Sequence, residues 1–154
     1  MDEAELTVGM LSHLSDLGWS IVCFDFPQSG TGYVLHSNKK SKDSKNEKSV
    51  IPDIISFKNG VVLYFENKDK FTKSDFDKIK RIKNSDEYIE SLRYLLRKFD
   101  WVSIYYGIGL PKSDSNLSRS LNELQSVDFV ALYDGVKIEC FYNDNMTECF
   151  DGFK

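Results

Sequence analysis

The sequence is poor in the residues that build disulfide frameworks and transition-metal sites. It contains only three cysteines, Cys23, Cys140 and Cys149, and two histidines, His13 and His36. An odd number of cysteines without a CxxC pair argues against a zinc site, so we expect buried or unreactive thiols in a reducing compartment. Two histidines are too few for a histidine-based metal centre. Any metal chemistry is therefore expected to use oxygen ligands, which favours Mg²⁺ or Mn²⁺.

Long apolar segments are also missing. No apolar run approaches the roughly 20 residues that cross a bilayer, and the acidic segment 1–5 lacks the basic and apolar regions of a signal peptide. We therefore expect an intracellular, cytoplasmic protein. The 154 residues, of which 41% are hydrophobic and 14% aromatic, are typical of one globular domain and argue against a disordered chain.

Positive charge is concentrated in two stretches, although the formal net charge is -4. The first is a polar segment, expected to be a loop, that contains Lys39, Lys40, Lys42, Lys45 and Lys48. The second contains Lys68, Lys70, Lys73, Lys78, Lys80, Arg81 and Lys83. Beyond residue 121 the chain is mainly acidic. Because phosphate responds to the local field rather than to the net charge, the two basic stretches predict a nucleic-acid surface.

The spacing of apolar residues predicts a mixed α+β fold. Helices are expected over residues 3–17, 75–83 (with Ser74 as N-cap), 86–99 and 115–125, and strands over residues 19–24, 50–57, 61–68, 101–107, 129–133 and 136–141. The helix between the third and fourth strands makes a crossover, so these two strands can be parallel in an otherwise antiparallel sheet. We predict a mixed central β-sheet flanked by helices, in a single domain 1–154 with a core over about residues 3–107 and a C-terminal helix and hairpin over residues 115–142.

The most informative segment covers residues 52–68. The dipeptide Asn59-Gly60, flanked by apolar runs, is the strongest short signal for a β-hairpin with a two-residue turn. Counting outward from this turn places Asp53 opposite Glu66. Side chains alternate along a strand, so Glu66 and Lys68 point to the same face. The pattern therefore predicts two carboxylates and a lysine at the open end of one hairpin.

This group of side chains suits phosphodiester hydrolysis. Mg²⁺ takes a few carboxylate oxygens and keeps waters and substrate phosphate in its other positions, and Asp53 and Glu66 supply such a partial shell. With a depressed pKa, Lys68 orients or activates the attacking water; when protonated, it neutralises phosphoryl charge. A simpler interpretation is an exposed cross-strand ion pair on a solvated face. The other positions of this face favour a functional site, because they are apolar: Ile55, Phe57, Val62 and Tyr64.

Pro52-Asp53, followed after a twelve-residue spacer by Glu66-Asn67-Lys68, resembles the motif of the PD-(D/E)xK nuclease superfamily, which includes most type II restriction endonucleases. The order of elements is similar as well, because the core of that superfamily is a helix, three antiparallel strands, a crossover helix and a parallel strand. The resemblance covers about residues 3–107. It implies a restriction-endonuclease-like αβββαβ core.

The resemblance also implies a role for each residue of the motif. Asp53 and Glu66 are expected to bind Mg²⁺, with Mn²⁺ as an alternative, together with the main-chain carbonyl of Asn67. Lys68 is expected to position the nucleophilic water.

In many members of that superfamily the first helix contributes a further acid that faces the metal. Glu3 is the matching candidate because it lies on the apolar stripe of the predicted helix, and Glu5 is the alternative. Favourable charge at a helix N-terminus explains Glu3 equally well.

The basic stretches predict the contacts to double-stranded DNA. Lys70, Lys73, Lys78 and Arg81 are candidates for holding the phosphate backbone near the scissile bond, while a solvated helix face explains any one of them equally well. The segment that contains Lys39, Lys40, Lys42, Lys45 and Lys48 is a better candidate as a group, because a loop can enter a groove and become ordered on contact.

Three functions fit this pattern. The first is a magnesium-dependent DNA endonuclease that resembles a type II restriction enzyme and acts as a homodimer on a symmetric site. The second is a structure-specific junction or repair nuclease, which the acidic C-terminal part disfavours. The third is a non-catalytic DNA-binding or assembly module, which the joint presence of Asp53, Glu66 and Lys68 disfavours.

Overall fold

In the described part of the chain, six β-strands in chain order form one central sheet. The structure, a computed structural model, describes residues 1–26, 32–38 and 49–146, apart from the side chain of Asn145. The strands are β1 (Ser20–Phe24), β2 (Ile54–Lys58), β3 (Val61–Asn67), β4 (Ser103–Pro111), β5 (Phe129–Tyr133) and β6 (Ile138–Tyr142). The helices are α1 (Glu3–Asp16), α2 (Lys73–Ser85), α3 (Ile89–Leu95) and α4 (Asp114–Asn122), with short 3₁₀ turns at Leu124–Ser126 and Asp144–Met146.

The sheet is mixed, as predicted from the sequence. Strand β2 pairs antiparallel with both β1 and β3, β4 runs parallel to β3 and to β5, and β6 returns antiparallel to β5. The α2–α3 pair forms the crossover from β3 to β4, which allows these strands to be parallel. The predicted α+β fold class and the αβββαβ order of the first elements are confirmed.

The turn of the central hairpin also follows the prediction. Asn59 has φ 49° and Gly60 has φ 84°, so both residues adopt the left-handed conformation that a two-residue type I′ turn requires. Lys58 pairs with Val61, and the register continues without a bulge to the pair Ile54 and Phe65. The dipeptide therefore fixes which residues of β2 and β3 lie opposite each other.

Helices cover both faces of the sheet, and the alternation along β2 and β3 decides which residues meet which helix. Leu6, Met10 and Leu14 of α1 pack against one face, which includes Ile54, Leu63 and Phe65. Phe76, Ile79 and Ile82 of α2 pack against the other face, which includes Ile55, Val62 and Tyr64. Asp2 caps α1, since its Oδ1 accepts a hydrogen bond from the Glu5 N–H at 2.8 Å. The hairpin that carries the motif is thus held between two helical layers.

Several predicted boundaries were wrong. Helix α2 begins at Lys73 with Thr72, rather than Ser74, as N-cap, and the predicted helix over 86–99 is regular only over Ile89–Leu95. The predicted helix over 115–125 is α4, which ends at Asn122 and is followed by a 3₁₀ turn. Strand β4 extends to Pro111, because its last five residues pair with β5. Strand β4 is therefore four residues longer at its C-terminal end than the strand predicted over residues 101–107.

Two smaller predictions concern thiols and membranes. Cys23 is half-buried, and burial raises the pKa of its thiol to about 12, so this thiol is unreactive near neutral pH. Within the described part of the chain, no helix combines the length and apolar character needed to cross a bilayer.

Candidate active site

The predicted motif lies at the open end of the β2–β3 hairpin. Asp53 immediately precedes β2, Glu66 and Asn67 end β3, and Lys68 follows β3. The N-terminus of α1 approaches this end from one side of the sheet and α2 from the other, because Lys68 contacts Glu3 and Glu66 contacts Lys78. The site therefore combines residues from four segments of the chain.

Asp53 is held by the backbone of the opposite strand. Its N–H donates to the carbonyl of Phe65 at 3.1 Å, and its Oδ2 accepts from the N–H of Asn67 at 2.7 Å. The regular β2–β3 pairing ends at Ile54 and Phe65. Beyond it, the side chain of Asp53 accepts its hydrogen bond from Asn67, one residue after the predicted partner Glu66. Burial and then the charge of Glu66 raise the pKa of Asp53 to about 7, against the opposing effect of the Asn67 hydrogen bond. The two carboxylates are thus close enough to repel each other.

Glu66 is the most deeply buried acid of the motif. Its side chain is 7% exposed, and Oε1 lies 3.0 Å from Nζ of Lys78 on α2. The second oxygen, Oε2, is buried and accepts no hydrogen bond from the described residues. A buried carboxylate oxygen without a partner is costly, because desolvation is not offset by a hydrogen bond. This oxygen is therefore suited to a ligand that brings positive charge.

Lys68 is surrounded by carboxylates. Its Nζ lies 3.9 Å from Oε1 of Glu3, and both side chains are about one third exposed. Burial favours the neutral amine, but the neighbouring carboxylates outweigh it and raise the pKa of Lys68 above its ordinary value. These carboxylates are, in order of effect, those of Asp75, Glu3, Glu66 and Asp53. In this environment Lys68 is an ammonium group near neutral pH, which favours the charge-neutralising role over that of a neutral base.

The structure distinguishes between the two acids of the first helix. Glu3 contacts Lys68, and its charge contributes to the raised pKa of Asp53. Glu5 is exposed, and its N–H is used by the cap residue Asp2. Asp75 of α2 is an acid of this site that the sequence analysis missed, since its charge acts on Lys68 more strongly than that of any motif residue.

Asn67 anchors the motif to the rest of the fold. Its side-chain amide donates to Oγ1 of Thr7 on α1 at 3.0 Å, inside the protein. A Cβ atom added to Gly109 on β4 would overlap with the Asn67 side chain, so glycine is required for this close approach. The next residue, Lys68, is held to the same strand, because its N–H donates to the carbonyl of Gly109 at 2.9 Å. The main-chain carbonyl of Asn67 remains a predicted metal ligand.

Replacing Thr7 with valine should lower the free energy of unfolding by about 1–3 kcal/mol, because the buried amide of Asn67 loses its acceptor. Thr7→Ser keeps the hydroxyl group and serves as the matched control, for which we expect a smaller loss. Urea unfolding followed by circular dichroism measures both values. No loss for Thr7→Val together with a clear loss for Thr7→Ser, which removes only the methyl group, would show that the methyl group of Thr7 and not its hydroxyl stabilises this contact.

The predicted DNA contacts have different surroundings. Lys73 forms an exposed ion pair with Asp77 at 3.1 Å, Lys70 is exposed, and Arg81 faces the Tyr88 hydroxyl. Lys78 faces Glu66 inside the candidate site. The remaining candidates, Lys39, Lys40, Lys42, Lys45 and Lys48, lie outside the described residues. All of these DNA contacts stay predictions.

The described residues fit a hard divalent cation such as Mg²⁺. Among the residues that the structure describes, four carboxylates, those of Glu3, Asp53, Glu66 and Asp75, face the ammonium groups of Lys68 and Lys78. No three acidic, histidine or cysteine side chains of the described segments converge on one point. Mg²⁺ needs only one or two carboxylates, because it keeps several waters and takes oxygens from the substrate. Asp53 and the unpartnered oxygen of Glu66 offer two carboxylates of this kind.

Comparison with known proteins gives little beyond a general likeness. No family model matches the chain, and no curated protein matches it. Among solved structures, the chain is similar to the crystal structure of an XisH family protein from Nostoc punctiforme, with 16% sequence identity and a TM-score of 0.42. The match covers 90% of this chain and 99% of that one.

Proposed function

We propose that this protein is a magnesium-dependent DNA endonuclease of the PD-(D/E)xK type, similar in activity to a type II restriction enzyme. The observation that carries the proposal is the convergence of Asp53, Glu66 and Lys68 at the end of one hairpin, with a buried oxygen of Glu66 left without a partner. The simpler interpretation, an exposed ion pair on a solvated face, does not explain why Glu66 is buried. The arrangement instead matches the needs of metal-assisted phosphodiester hydrolysis.

Each residue has a defined task in this mechanism. Asp53 and Glu66 would hold Mg²⁺, which when bound supplies an activated water and neutralises charge on the phosphate. Lys68, as an ammonium group, donates hydrogen bonds to the scissile phosphate or to the attacking water and offsets the charge that develops on the phosphoryl oxygens. Glu3 and Asp75 keep Lys68 protonated and limit its range of positions. Asn67 fixes the backbone between the two functional side chains.

The substrate of the proposal is double-stranded DNA, cut by two copies of the chain. The excess of carboxylates around Lys68 repels phosphate until a cation is bound, so DNA binding at the site is expected to require the metal. A small chain cuts both strands most simply as a two-fold homodimer on a symmetric sequence. The lysines at positions 39–48 are proposed to contact the DNA backbone outside the site.

The purified protein is expected to cut supercoiled plasmid into discrete fragments in Mg²⁺ and to leave it intact in EDTA. The same protein is incubated with a branched duplex, so that cleavage confined to branched DNA would instead indicate a structure-specific nuclease. Glu66→Gln is expected to be inactive, and Glu139→Gln, which changes an exposed ion-paired acid on β6, serves as its matched control. DNA binding without cleavage in any metal would contradict the enzymatic function.

A further inference from the structure

The ion pair between Lys78 and Glu66 joins two residues with different expected tasks. Glu66 is a proposed metal ligand, and Lys78 is a predicted phosphate contact. Nζ of Lys78, however, lies 3.0 Å from Oε1 of Glu66. A dication and an ammonium group on the same buried carboxylate repel each other, so the two partners of Glu66 compete.

We propose, on the basis of the nuclease function above, that Lys78 is the resident counter-ion of Glu66 and that metal binding transfers it to the phosphate backbone of the substrate. Lys78 therefore acts twice, first as a substitute cation that keeps Glu66 compensated and then as a substrate contact. The exchange couples the metal site to DNA affinity. Because such coupling is reciprocal, DNA also favours retention of the metal.

The positions of the two side chains support this exchange. Glu66 is fixed near the end of β3 and is 7% exposed, whereas Lys78 is 36% exposed and reaches the carboxylate from the edge of α2. A lysine ammonium is a point charge on a flexible stem, so it can move outward without a shift of the helix. Its neighbours on α2, Phe76 and Ile79, are buried against the sheet and hold the helix in place.

Other acids on α2 are less suited to receive Lys78 after its release. Asp75 already accepts a hydrogen bond from the Thr72 hydroxyl and acts on Lys68. Asp77 is paired with Lys73 at 3.1 Å. These acids of α2 therefore leave the released ammonium group available to the scissile phosphate, which is expected beside the motif.

The first test is a calorimetric titration of Mg²⁺ into the protein without DNA. For Lys78→Met we expect binding about 3- to 10-fold tighter than for the wild type, because the competing cation is gone. Lys98→Met changes an exposed lysine just after α3 that has no place in the candidate site, and it is the control, with no expected change. In EDTA, Lys78→Met is expected to lower the melting temperature, and Mg²⁺ should restore more stability to this variant than to the wild type.

The second test measures DNA affinity by fluorescence anisotropy on a short duplex, in a Lys68→Ala background that is expected to cleave DNA about 100- to 1000-fold more slowly. Saturating Mg²⁺ should increase the DNA affinity of this background protein. Adding Lys78→Met is expected to reduce that increase by about 3- to 10-fold. A merely structural role of Lys78 predicts weaker Mg²⁺ binding together with a uniform loss of DNA affinity.

Three outcomes count against the exchange. The exchange is overturned if Lys78→Met binds Mg²⁺ as tightly as the wild type or more weakly, or if it leaves the effect of Mg²⁺ on DNA affinity unchanged. The nuclease function survives either result as long as Asp53→Asn, made in the wild-type protein, abolishes Mg²⁺ binding. If the wild type binds no Mg²⁺ and Asp53→Asn changes nothing, the proposed metal site fails and the exchange fails with it. Lys78→Gln repeats each measurement with a shorter polar side chain.

Discussion

Replacing Lys68 with alanine is expected to lower the rate of DNA cleavage at saturating Mg²⁺ by about 100- to 1000-fold, the loss typical of removing one preorganised charge-stabilising donor. The raised pKa of Lys68 means that the wild-type side chain carries its charge throughout the neutral range. Alanine would remove this charge from beside the proposed position of the phosphate, while the proposed metal ligands Asp53 and Glu66 would be unchanged. Single-turnover cleavage of a labelled duplex measures the effect.

The controls for Lys68→Ala separate chemistry from folding. Lys98→Ala changes an exposed lysine just after α3 and should leave the rate within about twofold of the wild type. Because Lys68 is one third exposed and its ion pair with Glu3 is long, we expect its replacement to change the free energy of unfolding by less than about 1 kcal/mol. Undiminished cleavage by Lys68→Ala would remove this residue from the mechanism. A rate loss matched by loss of folding would make its role structural.

The metal-free protein is expected to lose stability as the pH rises from about 4 to about 7. Asp53 has a pKa of about 7 in the folded protein, against an ordinary value of 3.8. Between these values the folded state binds the proton and the unfolded state releases it, so stability falls with rising pH and becomes constant above about pH 7. The total loss from this group is at most about 4 kcal/mol.

Asp53→Asn should abolish this part of the pH dependence and make the variant more stable than the wild type at about pH 8 in EDTA. Asparagine retains an oxygen that accepts the hydrogen bond from the Asn67 N–H. Urea unfolding over the pH range, with exposed Asp69→Asn as control, measures the difference. Mg²⁺ should stabilise the wild type at about pH 8 and have little effect on Asp53→Asn. Parallel pH curves for the wild type and Asp53→Asn would contradict the raised pKa.

The sequence predicts the hairpin well because its signal is local. Asn59 and Gly60 favour left-handed backbone, and this preference alone determines the turn and the register of β2 and β3. The convergence of the motif follows from this register together with the alternation of side chains. The hydrogen bond from the Asn67 N–H to the Asp53 side chain cannot be predicted from the register, because the strand pairing becomes irregular where β2 begins.

Contacts made by docked helices are less predictable. Lys78 lies between the buried residues Phe76 and Ile79, at the edge of the apolar face of α2, but the sequence does not specify which strand residue meets this edge. The same is true of Asp75, which reads as a first-turn acid and acts on Lys68 only because α2 docks beside β3. The end of β4 was missed for a related reason, since β5 extends the ladder to Pro111. Long-range packing decides all three.

The chain-order arrangement of the sheet has a consequence for how the molecule folds. Every strand pairs with the next one along the chain, and the β2–β3 hairpin closes the shortest loop among the strand pairs of the sheet. Such local pairing carries the smallest loop-closure entropy, so we expect this hairpin to form early. Asp53 and Glu66 then approach each other before α1 and α2 bring Glu3 and Lys78. The two acids therefore repel each other early in folding, before the positive charge of Lys78 reaches them. Mildly acidic conditions, which protonate these acids, should speed the early steps of folding.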